Sequence, residues 1–154
     1  MSRNTVFGRL FRAVVTVAVL GGGAGACGGG GDTTSPTSTS TVTTTLPTQP
    51  FNRVAPDEVA ATDVTINGTG VLTCTADWTF ASNDIDIYVT PTSCVAGDIG
   101  SLLDCPVMGR TTAVSTKPER LTVDVTRGNY RVWIVNYGPG AESGTLQLTA
   151  TVSR

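Results

Sequence analysis

The sequence predicts an all-β fold, an antiparallel sandwich or small barrel of about six to eight strands over residues 63–154. Three observations predict it. β-branched residues dominate from Asp63 onward, the apolar residues there recur with a period near two, and no stretch carries a helical period. Strands with a single apolar face need a second layer over that face, so two packed sheets are expected.

Val64-Thr65-Ile66 reads as the first strand, closed by the tight-turn pair Asn67-Gly68. In the next strand Leu72, Cys74, Ala76, Trp78 and Phe80 share one face, with threonines and Asp77 on the other. Ser82-Asn83-Asp84 turns the chain. Ile85, Ile87 and Val89 then point one way, Asp86 and Tyr88 the other, until Pro91 ends the strand. Residues 92–110 are irregular, broken by Gly97, Gly100, Pro106 and Gly109. Leu121, Val123 and Val125 alternate, and Arg127-Gly128-Asn129 turns the chain again. Tyr130, Val132, Ile134 and Asn136 share one face of the following strand, with Trp133 and Val135 opposite. Gly138-Pro139-Gly140 breaks it, and Leu146, Leu148, Ala150 and Val152 finish the chain on one face. Trp78, Phe80, Tyr130 and Leu148 lead the expected core.

The text before residue 63 is of another kind. Arg3, Arg9 and Arg12 precede the apolar run Ala13–Leu20, the pattern of a secretory signal over residues 1–26. That run is too short to read as a membrane span. Ala24-Gly25-Ala26-Cys27 resembles the bacterial lipobox, which makes Cys27 the expected site of lipid attachment. Residues 27–50 pass from glycines into a Thr/Ser/Pro-rich tether, which offers little to bury against the entropy of ordering. Residues 51–62 are a transition segment. The expected location is therefore the bacterial cell envelope, with the chain lipid-anchored to a membrane; plain secretion is the alternative.

Removing the signal takes three arginines away and leaves seven basic groups against twelve acidic ones, a net charge of about −5. An acidic chain without a basic stripe argues against nucleic acid as a partner. The chain has no histidine, so no Ser-His or Cys-His pair exists to activate a nucleophile, and an enzyme is not expected. With Cys27 assigned to lipid, Cys74, Cys94 and Cys105 allow one disulfide and one free thiol. Cys94 and Cys105 flank the irregular loop and are the favoured pair; such a bridge is worth about 2–3 kcal/mol in the chain-entropy model. Cys74–Cys94 is the competing pair.

The strands carry a recognisable series: Trp78-Thr79-Phe80, Asp84-Ile85-Asp86-Ile87-Tyr88-Val89, Pro118–Val123, Gly128-Asn129-Tyr130-Arg131-Val132, and a tail of Asn136-Tyr137-Gly138-Pro139 and Ser143–Thr149. This series resembles the bacterial pre-peptidase C-terminal domain, which is related to collagenase collagen-binding domains. The resemblance spans residues 64–153 and implies a jelly-roll-like antiparallel β-sandwich without catalysis of its own. It further implies an accessory role beside secreted peptidases, in secretion, localisation or substrate binding. The family's Asp-x-Asp-x-Tyr strand falls on Asp84, Asp86 and Tyr88, and its Gly-x-Tyr pattern on Gly128 and Tyr130. The 154 residues depart from it in having no peptidase unit, a cysteine-bounded loop at 94–105, and a tether and anchor.

Two sets of residues are candidate sites. Asp84 and Asp86, with Asp77, offer oxygen ligands for calcium, and some collagen-binding relatives bind that ion. The plainer reading is a turn residue and a solvated strand face. Trp133, Tyr137, Tyr88 and Arg131 form a candidate binding surface; the plainer reading puts Trp133 beneath a loop. The function expected is a non-catalytic, envelope-anchored binding or structural module that recognises peptide, polysaccharide or an envelope protein. A calcium-stabilised accessory domain for a separate secreted peptidase is the alternative.

Overall fold

The computed structural model describes residues 39–101, 105–114 and 116–153. The expected signal, Cys27 and the first part of the tether lie outside the described residues. Among the described residues nine strands build two antiparallel sheets, and one short helix sits between strands. The first sheet contains β1 (Thr41–Thr45), β2 (Gln49–Val54), β4 (Thr69–Trp78), β7 (Glu119–Val125) and β9 (Glu142–Ser153). The second contains β3 (Val59–Ile66), β5 (Ile85–Pro91), β6 (Gly109–Arg110) and β8 (Gly128–Asn136). From β2 onward the chain repeatedly crosses between the sheets, the jelly-roll-like sandwich that the sequence predicts. Among the described residues no helix is long and apolar enough to cross a membrane.

The alternation of each strand becomes the core. Leu72, Cys74, Ala76 and Trp78 of β4 and Leu146, Leu148, Ala150 and Val152 of β9 face Ile85, Ile87 and Val89 of β5 and Tyr130, Val132 and Ile134 of β8. Cys74 is a free thiol within this layer, and burial pushes its pKa up to about 12, so it is chemically quiet. Phe80 departs from expectation: it is 60 % exposed. β4 stops at Trp78 because the buried Glu142 carboxylate accepts the Thr79 and Phe80 N–H groups at 2.8 and 3.1 Å. The chain turns there, and period two no longer applies to the next ring.

Part of the segment expected as tether is strand instead. Thr41–Thr45 pairs with β9 from Ser153 to Thr149, and Gln49–Val54 pairs with the same edge from Leu146 to Glu142. Threonine is β-branched and suits a pleated surface, and the open edge of a twelve-residue strand supplies the hydrogen bonds. Thr43 and Thr151 hydroxyls meet at 3.0 Å, and Leu46 packs against the main core. The transition segment 51–62 likewise becomes the end of β2 and the first half of β3.

Candidate functional site

The candidate site lies on the outer face of the second sheet, the face turned away from the main core. Strand register places side chains there in rows. Asp63, Arg131 and Thr90 form one row; Ala61, Trp133 and Tyr88 the next; Val59, Val135 and Asp86 the third. Beyond them Asp57 N–H donates to the Asn136 carbonyl, and Tyr137 N–H to the Asp84 carbonyl, at 2.8 Å each.

The described parts of the irregular segment, residues 92–101 and 105–108, lie over these rows through Cys94, Ile99, Cys105 and Val107. Its shape comes from the Cys94–Cys105 disulfide, the favoured pairing, and from helix α1 (Ala96–Ser101). Cys94, Ile99 and Cys105 pack on Tyr88, Trp133 and Val135, a small second core outside the sandwich. This corrects the expected binding surface and bears out the plainer reading, which puts Trp133 beneath a loop. Trp133 is 3 % exposed and donates its indole N–H to the Thr90 hydroxyl at 2.9 Å; Tyr88 is likewise 3 % exposed. Arg131 is committed too: its guanidinium pairs with both oxygens of Asp63, donates to the Cys94 carbonyl at 2.9 Å, and stacks over Trp133. Period two placed these residues on the outer face correctly, but a stapled loop closes that face.

Tyr137 alone of the expected surface stays accessible, 46 % exposed, with its hydroxyl 3.1 Å from that of Tyr88. Burial of the hydroxyl and that hydrogen bond both raise its pKa. Where the stapled loop stops short, a cavity of about 480 Å³ opens, a volume within the range of ordinary ligand sites. Val59, Ala96, Ile99 and Val135 give it apolar walls, and Asp57, Glu58 and Tyr137 complete the lining. Asp57 and Glu58 do not stand out in the sequence. Their one local signal is Pro56-Asp57, a turn dipeptide between strands.

The acidic candidates separate. Asp77 sits on the first sheet and pairs with Lys117 at 3.1 Å. Asp86 is buried, within reach of the Thr111 hydroxyl at 3.5 Å, while Thr111 also accepts the Ile87 N–H at 2.8 Å. Burial first, then the nearby charges of Asp84 and Glu119, push the Asp86 pKa up to about 6. Glu119, which no sequence pattern marks, is raised by burial as well, and its Oε2 is buried without a hydrogen-bond partner. Neither carboxylate lines the cavity. Among the described residues no group of three or more His, Cys, Asp or Glu side chains is placed to hold a metal ion.

No protein-family model matches the chain, and no curated protein matches it. Among solved structures it is similar to the pre-peptidase C-terminal domain of collagenase from Bacillus anthracis, at 10 % identity over 68 % of this chain and 88 % of that one, with a TM-score of 0.48. It is similar to a carbohydrate-binding module of Cellvibrio mixtus lichenase 5A, in complex with cellotriose, at 12 % identity over 73 % and 97 % of the two chains, TM-score 0.43. It is also similar to the Aeromonas hydrophila periplasmic inhibitor of g-type lysozyme, at 11 % identity over 73 % and 86 %, TM-score 0.42.

Proposed function

We propose that this chain is a non-catalytic binding module held at the bacterial cell envelope by a lipid on Cys27, with the cavity beside Tyr137 as its ligand site. The observation that carries the reading is the cavity itself. A disulfide-stapled loop seals most of the outer sheet face yet leaves an apolar recess with an exposed aromatic ring and an acidic rim. The disulfide fits an exported, oxidising location. The missing histidine supports binding rather than catalysis. The resemblance of the motif series to the pre-peptidase C-terminal domain fits a non-catalytic binding role. A calcium-stabilised accessory domain is the second reading; among the described residues Asp77, Asp84 and Asp86 form no group placed to hold a metal ion.

Two measurements test this reading. Metabolic labelling with palmitate is expected to mark the wild-type chain and to leave Cys27→Ala unlabelled; label on the variant, or on neither, sinks the anchor. An NMR titration of the mature protein in detergent micelles, with short peptides, soluble peptidoglycan fragments and neutral oligosaccharides, addresses the site. Signals of Val59, Val135 and Tyr137 are expected to move with one of these classes. Tyr137→Ala is expected to weaken that binding about tenfold. No movement with any class would remove the cavity as a binding site.

A further inference from the structure

We propose that the cavity beside Tyr137 takes the side chain of a basic residue, lysine or arginine, from a peptide or protein partner. This rests on the cavity being the ligand site and names what fills it.

The lining is divided in the way such a side chain is divided. A lysine or arginine has an aliphatic stem and a charged head, and it buries the first while keeping the second among polar groups. Val59, Ala96, Ile99 and Val135 offer the stem an apolar wall. Asp57 and Glu58 offer the head two adjacent carboxylates, and the Tyr137 ring offers it an aromatic face.

Among the described residues no cation of the chain pairs with those carboxylates. The ion pairs among the described residues join Lys117 to Asp77 and Arg131 to Asp63, and neither Asp57 nor Glu58 has a cationic partner there. Among the described residues the Glu58 carboxylate accepts a long contact, 3.4 Å, from the Ala55 N–H. The acidic balance of the chain adds a field that draws cations toward it.

The backbone at Asp57 points the same way. Glu58 N–H closes a turn onto the Ala55 carbonyl at 3.0 Å, and Asp57 holds the third turn position with φ of 61°. That position favours glycine, because the left-handed region crowds a Cβ. An aspartate there keeps a carboxylate at the rim at some backbone cost. Replacing it by glycine therefore separates fold from function, since the fold loses nothing by the change.

The test titrates the full mature protein with acetyl-Gly-Lys-Gly-amide, the same peptide with norleucine for lysine, and a neutral tetrasaccharide. The lysine peptide is expected to shift Val59, Val135 and Tyr137 signals, with Kd on the order of 1 mM, and the norleucine peptide to bind at least about tenfold more weakly. Asp57→Gly is expected to lose about tenfold in lysine-peptide affinity with its Tm equal to wild type or higher. Asp57→Asn, which also tolerates the left-handed conformation, is expected to show the same loss if the glycine variant folds poorly. Equal binding of lysine and norleucine peptides would overturn the basic-residue assignment while leaving the cavity as a site. So would binding of the tetrasaccharide alone. Silence from all three probes would overturn the assignment together with the reading of the cavity as a site.

Discussion

Asn136→Ala is expected to destabilise the protein by about 3–5 kcal/mol, a large fraction of the roughly 5–15 kcal/mol that holds a domain together. The side chain is fully buried at the end of β8 and joins the end of β2 to the loop that follows β8. Its amide N–H groups donate to the Val54 carbonyl at 2.9 Å and the Gly140 carbonyl at 2.7 Å, and its oxygen accepts the Gly138 N–H at 2.9 Å. Alanine leaves all three without that partner, and each buried orphan carries its own desolvation penalty. Little room exists for compensation by a shift of the loop. A Cβ placed on Gly138 would lie 2.6–2.7 Å from Asn83, so the two backbones already touch, and Asn83 in turn accepts the Gly140 N–H at 3.1 Å. Urea denaturation of the wild type and variant, with a shared m-value, measures the loss. The same variant is expected to lose cavity binding, because Val54 precedes the Asp57 turn and Tyr137 follows Asn136 directly. A loss below about 1 kcal/mol would mean that water replaces the side chain.

The second large effect is a reversal of ordinary acid sensitivity. Asp86 holds its proton up to a pKa of about 6 in the folded protein, against about 4 for an exposed aspartate in the unfolded chain. Between these values the folded state binds more protons than the unfolded state, so stability falls as pH rises. The contribution is fully present below about pH 4 and lost through about pH 6. It amounts to roughly 2–3 kcal/mol from Asp86, because a tenfold change in proton affinity is worth about 1.4 kcal/mol. Glu119, also raised, acts in the same direction. Asp84 and Glu119 face the group with like charge, and Arg110 and the Thr111 hydroxyl oppose the rise. The urea midpoint is therefore expected to be higher at pH 4.5 than at pH 7, and Asp86→Asn is expected to remove most of that difference. A midpoint that climbs steadily from pH 4.5 to pH 7 in the wild type would refute it. The buried, unpaired Glu119 oxygen makes Glu119→Gln the companion variant. It trades a carboxylate for a neutral group and is expected to stabilise the protein at pH 7.

Much of the fold was legible because strand alternation is a local property. Leu146, Leu148, Ala150 and Val152 announce a buried face by spacing alone, and the structure buries all four. Cys94 and Cys105 announced a staple by flanking the least regular stretch, and they form it. What alternation cannot state is what lies opposite a face. Trp133 and Tyr88 read either as a binding patch on the outer side of β8 and β5 or as residues beneath a loop, and the structure decides for the second: a loop held by that disulfide covers them and uses Arg131 as a clasp. Thr41–Thr45 looked like tether because its side chains bury little, whereas its hydrogen bonds come from an edge of β9 more than a hundred residues away. Asp57 lay unremarked in the transition segment, and Asn136 read as a strand residue. Only the meeting of β2, β3, β8 and the following loop makes one the rim of a cavity and the other its fastening. The sequence by itself determined the all-β class, the faces of most strands and the chemistry that is missing with histidine. The tertiary structure decided which faces stay open, because covering a face and satisfying a buried polar group depend on partners distant in the chain, and no local period encodes them.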